Sequence, residues 1–577
     1  MVGLAFLGGA SLGVGQVLAP EGGPTEGESA AAEPKEWVPE EFSVGMVIHP
    51  AIARLAQPEL FKELISTPMA ISARNEAAQE HTVQGMAYVQ AGWDYEAYRH
   101  FCEAARADPE CLMAYWGIGL SLAAPNSEFI EQRMAAVNRM LDLVEDGQGS
   151  PQERDYAMSL LALFSGDVSA ASASFAKLSE RFPNDLQARL IATYFKRDGF
   201  TEFGDALYGQ ERATEEMAKI MAENPDNLAA MGFWAMLHAE HPDAEFILPK
   251  EVLPVVRKMV RMVPDFPPYL HMLGHFEWRC GNHVLALEAF ERALKLYSDH
   301  MKANEMTFHD CEAYVRTKSY MAVALASLGR FEEALKVAKE LAALKVESKR
   351  LNSAGANLVV WNARTLPARI YLARGWESDF SAAAESFPKA GDEQLFIGRT
   401  ISVFYLEGLR QYIEGRKSLV NGDREEAGDF LLAAEQTLAR MAGLRREAAG
   451  SSAISEYLRA LRTLEILSAD LRGHLALAGS PSEKKGAYNW FKSASEKQSY
   501  GSMLNPPSLP YPLEVCLGDY YMRSGRGAES VASYEEALLR RPNDVQTMRE
   551  LLVVLKALKL TEDAAELAKR MKYVTGK

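Results

Sequence analysis

A recurring spacing of small and aromatic residues constrains this chain more than any other feature. Between residues 78 and 111 the run carries Gly85, Tyr88, Ala97, Phe101, Ala104 and Pro109. Between 511 and 544 the same places are taken by Gly518, Tyr521, Ser530, Tyr534, Ala537 and Pro542. The period is about 34 residues, that of a two-helix repeat. Small residues let two helices approach closely, aromatics fill the space between them, and proline closes one hairpin before the next. Further units follow at 545 (Ala564, Ala568), at 267–300 (Leu273, Gly274, Ala286, Phe290, Ala293), at 315–348 (Gly329, Ala334, Ala338) and at 152–185 (Ala171, Phe175, Pro183). One such hairpin cannot bury its apolar face alone, so a continuous core requires stacking on neighbours.

The fold class that follows is all-α. It is a TPR-like α-α superhelix, a solenoid of antiparallel helical hairpins coiling right-handed around a concave groove. No useful stretch alternates with period two and β-branched enrichment, so almost no sheet is expected. The chain divides into an export segment and linker (1–36), N-terminal hairpins (37–230), central His-rich hairpins (231–348), degenerate hairpins (349–485) and C-terminal repeats (486–577). Residues 190–225, 350–390 and 390–475 are helical by periodicity but weak as repeats.

Composition narrows the function. Hydrophobic residues make up 48% and charged residues 24% of the 577, as in soluble folded proteins. A net charge of −16 argues against a nucleic-acid surface, which needs a basic face. Residues 2–18 are apolar and glycine-rich and end at Val17-Leu18-Ala19, a small-residue pattern that fits signal-peptidase cleavage. The expected location is therefore the cell envelope or periplasm, with a cytoplasmic tail as the alternative. No transmembrane span is expected beyond that possible signal peptide. The five cysteines, Cys102, Cys111, Cys280, Cys311 and Cys516, show no paired metal-knuckle or redox spacing and read as small buried residues. His-Glu-x-x-His and a phosphate-binding loop are both missing, and the Gly-x-Ser-x-Gly string at 9–13 lies in the export segment, so no catalytic residue is assigned.

Seven of the 11 histidines fall between residues 238 and 309. His271 and His275 are one turn apart on one helix face, the face that lines the groove in this repeat class. His238 and Glu240 end a preceding helix, and His309 opens the helix one hairpin later. If these side chains converge, His238, Glu240, His271, His275 and His309 form a site for one divalent metal such as zinc, with Cys280 and Cys311 as further soft donors. The alternative is that the histidines hydrogen-bond between hairpins and shape the groove. His283 and His300 read as surface residues. Trp278, one turn past His275, and Glu312 are expected to face a partner in the groove.

The motifs resemble a large family of bacterial tetratricopeptide proteins, many of them exported. The resemblance runs from Gln84-Gly85, Glu96-Ala97 and Phe101 to Pro109 through Met113-Ala114-Tyr115-Trp116-Gly117. It continues at His271-Met272-Leu273-Gly274-His275, at Leu366-Pro367 with Arg374-Gly375-Trp376, and at Asn505-Pro506-Pro507. It implies the fold and export, and no particular activity. Where the family often carries a second histidine, this chain has Trp234 ahead of His238 and Glu312 after His309. The function expected is a scaffold that binds a protein or peptide through its concave groove. The alternative is a metal-binding protein or metal-dependent hydrolase.

Overall fold

A computed structural model describes residues 42–67, 69–123, 127–164, 168–201, 205–388, 400–449, 454–498 and 502–576. The segment read as export signal and linker lies outside them. The described residues are mainly α-helices paired as hairpins, joined by turns and a few longer non-helical stretches, and their one β feature is an isolated antiparallel bridge between Phe200 and Ala206. None of the described helices is long and apolar enough to cross a membrane.

Each strong repeat is one hairpin. Glu76–Gln90 pairs with Asp94–Ala107, Pro151–Phe164 with Val168–Arg181, Pro267–Arg279 with His283–Ala303, and Glu312–Ser327 with Phe331–Ala342. Glu514–Arg523 pairs with Gly527–Arg540, and Val545–Ala557 with Thr561–Thr575. The small positions are small because an aromatic ring sits against the bare backbone. A Cβ on Gly85 would come 2.8 Å from the Phe101 ring, on Gly274 2.4 Å from Phe290, and on Gly518 2.6 Å from Tyr534. The same packing appears where the sequence pattern had faded. A Cβ on Gly473 would lie 2.5 Å from Phe491, so Ile454–Leu477 and Pro481–Glu496 are one more hairpin of this kind. Side-chain caps start several helices: Asn75 accepts from Ala78 N at 2.9 Å and Asp544 from Thr547 N at 3.0 Å, each satisfying an otherwise orphaned donor. Hairpin turns use left-handed glycines, as at Gly92 (φ 80°) and Gly281 (φ 76°).

Distant hairpins also touch. Asp310, its side chain fully buried, accepts from Arg54 Nη2 at 2.7 Å, Tyr95 OH at 2.8 Å and Arg350 Nη1 at 3.0 Å, and Arg350 also pairs with Glu128. Glu96 receives Arg99 Nη1 at 2.8 Å and His300 Nε2 at 3.1 Å. At the other end Asn543 Nδ2 donates to the Gly281 carbonyl at 3.1 Å. The first and last hairpins therefore both dock on the central ones.

Candidate groove site

The inner face of the central hairpins holds a segment of the chain itself. Residues 502–511 run through the groove with Pro506, Pro507 and Pro510 in the run, between the first helices of the central hairpins and Ile454–Leu477. Each of the three prolines lacks an N–H but keeps its carbonyl, and the groove supplies donors to the segment's carbonyls. His271 Nε2 donates to the Met503 carbonyl at 3.1 Å and Arg316 Nε to Leu504 at 2.9 Å. Tyr320 OH lies 3.0 Å from the Asn505 carbonyl and also bonds Ser502. Arg369 holds the Pro507 carbonyl, and Arg541 holds those of Leu509 and Pro510 at 2.8 and 2.9 Å. The hydroxyls of Ser508 and Thr463 meet at 2.8 Å. Side chains that donate to the carbonyls of a non-helical segment are how grooves hold peptides, here satisfied within one chain.

Beside this strap lies a cavity of about 340 Å³. Arg459, Arg462, Arg540 and Arg541 line it, against a single acidic side chain, Glu240. Arg540 is paired with the buried Glu514 at 2.8 Å. Burial pushes the nearby Arg369 guanidinium down to about 10, and repulsion from Arg459 and Arg541 adds to the effect.

The histidines expected to gather round a metal have other partners. Besides its bond to Met503, His271 faces Thr317 Oγ1 through Nδ1 at 2.9 Å. His275 Nε2 donates to the Ala239 carbonyl at 3.2 Å. His238 Nδ1 donates to the Trp234 carbonyl at 2.9 Å, its ring lying on Trp234. His309 Nδ1 meets Ser353 Oγ at 2.7 Å, while Nε2 accepts the Glu347 N–H at 3.3 Å. A nitrogen that donates to a carbonyl has no lone pair for a metal. Burial lowers the pKa of His271 to about 3 and that of His275 well below the usual range. Among the described residues, the predicted set of His238, Glu240, His271, His275 and His309 does not bring three ligand atoms within 4.8 Å of one another. Glu240 is exposed on the arginine-lined cavity, and Glu312 pairs with Arg316 at 2.6 Å. Trp278 reaches the same cavity but is 5% exposed, packs on Tyr320 and donates Nε1–H to Ser327 Oγ at 3.1 Å. Of the two histidines read as surface residues, His283 is instead buried against the C-terminal hairpin, while His300 is half-buried and bonds Glu96.

The sequence reading missed the cavity arginines, which come from two distant stretches of chain and share no motif. It also passed over Asp470 and His474, whose i, i+4 spacing was a visible signal. With Cys516 they form the one group of three potential metal donors found among the described residues.

The family description of a tetratricopeptide repeat matches residues 267–300. No curated protein matches the chain. Among solved structures, a monomeric IFIT1 mutant with Gppp-AAAA is 13% identical with a TM-score of 0.30, over 82% of this chain and 93% of that one. A second monomeric mutant, with m7Gppp-AAAA, is 12% identical with a TM-score of 0.32, over 89% and 94%. The human IFIT1 dimer with m7Gppp-AAAA is 13% identical with a TM-score of 0.30, over 83% and 93%. With the repeat match at 267–300 and the same ring-on-glycine hairpins at both ends of the chain, this protein is an α-helical solenoid of tetratricopeptide type.

Proposed function

We propose that this solenoid is a scaffold that binds an extended, acidic polypeptide segment at the arginine-lined cavity beside its strap. The observation that carries the reading is that Arg459, Arg462 and Arg541 line that cavity beside the Glu514-paired Arg540, against the one lining carboxylate Glu240. Guanidinium groups grip carboxylates in two-point geometry and keep their charge when partly dry, which suits them to an anionic ligand. The strap supports a polypeptide, since the same wall already holds a non-helical backbone by its carbonyls. Single-stranded nucleic acid is less well served. The tryptophan lining the cavity, Trp278, has its ring committed to packing, which leaves no face for a base to stack on.

The test is fluorescence anisotropy with labelled acidic, neutral and basic decapeptides on wild type and on an Arg459→Glu/Arg462→Glu double variant. These two side chains are half-buried and exposed, so their reversal should spare the core. Acidic peptides should bind preferentially, weaken with added salt, and lose on the order of tenfold affinity or more in the variant. Equal binding of acidic and basic peptides would sink the reading. Tighter, arginine-dependent binding of an RNA oligomer would transfer the site to nucleic acid.

A further inference from the structure

A different cavity, about 170 Å³ in volume, lies between the central hairpins and the C-terminal repeats, and Arg416, His474, Tyr511, Cys516 and Asp519 are on its wall. Asp470 and His474 stand one turn apart on Ile454–Leu477, and Cys516 reaches them from Glu514–Arg523. Cys516 Sγ is 3.2 Å from Asp470 Oδ1 and 3.8 Å from His474 Nε2, and that nitrogen is 3.4 Å from the same Oδ1. A tetrahedral zinc with its usual bonds of about 2.0–2.3 Å holds neighbouring donor atoms roughly 3.3–3.7 Å apart. The triangle's edges, 3.2, 3.4 and 3.8 Å, come close to that spacing, one inside it and the other two just outside its ends.

What surrounds the triangle suits a metal as well. The other carboxylate oxygen, Asp470 Oδ2, receives Tyr412 OH at 2.7 Å and Arg416 Nη1 at 2.9 Å. Those bonds orient the carboxylate and leave Oδ1 turned to the sulfur and the imidazole, as outer partners of metal ligands do. The Phe491 ring lies edge-on to His474 at 5.0 Å and fixes its plane. All three donors sit on helices, so their spacing is held by packing. The competing account is a buried carboxylate taking a hydrogen bond from a thiol. In that account His474 bonds the same Oδ1 across one helical turn, so it explains the contacts without an ion, and metal uptake is what separates the two. The triangle is not a nucleophile–base–carboxylate relay, because the thiol and the carboxylate meet the same imidazole nitrogen instead of opposite ones.

We propose that Asp470, His474 and Cys516 form a three-donor site for a zinc-class divalent cation, with the fourth coordination position open to the cavity. On binding, the Cys516 S–H bond breaks, its proton leaves to solvent through the cavity, and a metal–sulfur bond forms. Asp470 binds as carboxylate and His474 as neutral imidazole through Nε2. The ion then ties Ile454–Leu477 to the C-terminal hairpin, next to Tyr511 at the end of the strap.

The experiment is cobalt titration of the full chain, free of any histidine tag and stripped with a chelator beforehand. The expected result is one equivalent of Co²⁺, a near-ultraviolet thiolate-to-cobalt charge-transfer band, intense visible bands of a tetrahedral ion, and displacement by Zn²⁺. Cys516→Ser should abolish the charge-transfer band. His474→Ala, at a partly exposed side chain, should weaken binding more than about tenfold. His271→Ala should leave stoichiometry and spectrum unchanged. No uptake, uptake without a sulfur band in the wild-type chain, or binding unaffected by His474→Ala would each overturn the site.

Discussion

His81 and His100 face each other with their Nδ1 atoms 2.9 Å apart, so one nitrogen must carry a hydrogen and the other must not. His100 is also stacked on Tyr88, with ring centroids 5.2 Å apart. Burial pushes His100 down to about 3, and the neighbouring charges divide, Glu96 opposing the shift while His81 and Arg99 reinforce it. His81 is likewise lowered by burial. An unfolded histidine takes up its proton below about pH 6.5, while the folded chain keeps His100 neutral to much lower pH. Their contribution is complete above that pH and drains away as acid is added. The slope approaches about 1.4 kcal/mol per pH unit for each histidine held neutral. Urea midpoints measured from pH 7 to pH 4.5 should fall, and His100→Phe should flatten the fall by roughly one proton. An identical slope in the variant would show that this pair does not set the acid response.

At the scale of elements, the strap depends on the hairpins around it. Its carbonyls are held by donors on Pro267–Arg279, Glu312–Ser327 and Leu366–Arg374. Tyr320 serves two of its carbonyls at once. Tyr320→Phe keeps the ring against Trp278 and Phe290 but strands those acceptors, at a cost of about 1–3 kcal/mol. Limited proteolysis should then cut within 502–511 faster than in wild type while the flanking helices stay protected. Unchanged cleavage would mean that the strap is held by its prolines and packing alone.

For the whole molecule, Asp310 is the point where hairpins far apart in sequence are joined. An ordinary solenoid contacts only neighbours and unfolds piecemeal. Here the N-terminal Arg54, Tyr95 on the first strong repeat, and Arg350 after the fourth converge on one buried carboxylate. Asp310→Ala leaves Arg350 with Glu128 as its remaining acidic partner and frees Tyr95 and Arg54, a loss of about 1–3 kcal/mol. Chemical denaturation should show the wild type unfolding the N-terminal and central hairpins together and the variant releasing the N-terminal hairpins first. A uniform shift of one transition would instead show that packing alone provides the coupling.

The sequence by itself determined the hairpins. A glycine under an aromatic ring, as at Gly85 with Phe101 or Gly274 with Phe290, is a local steric requirement, so it is written at a fixed spacing and can be read there. It also placed His271 and His275 correctly on one helix face. Only the tertiary structure decided what that face meets. The carbonyl that His271 binds belongs to Met503, the acceptor of His275 to Ala239, and the turn that buries His283 to the C-terminal hairpin. The arginines of the proposed site and the Asp470–His474–Cys516 triangle likewise come from segments that local spacing does not relate. Periodicity records how a helix packs on its neighbour. Which hairpins meet after the superhelix has turned depends on small rotations accumulated over many repeats, and no single residue encodes their sum.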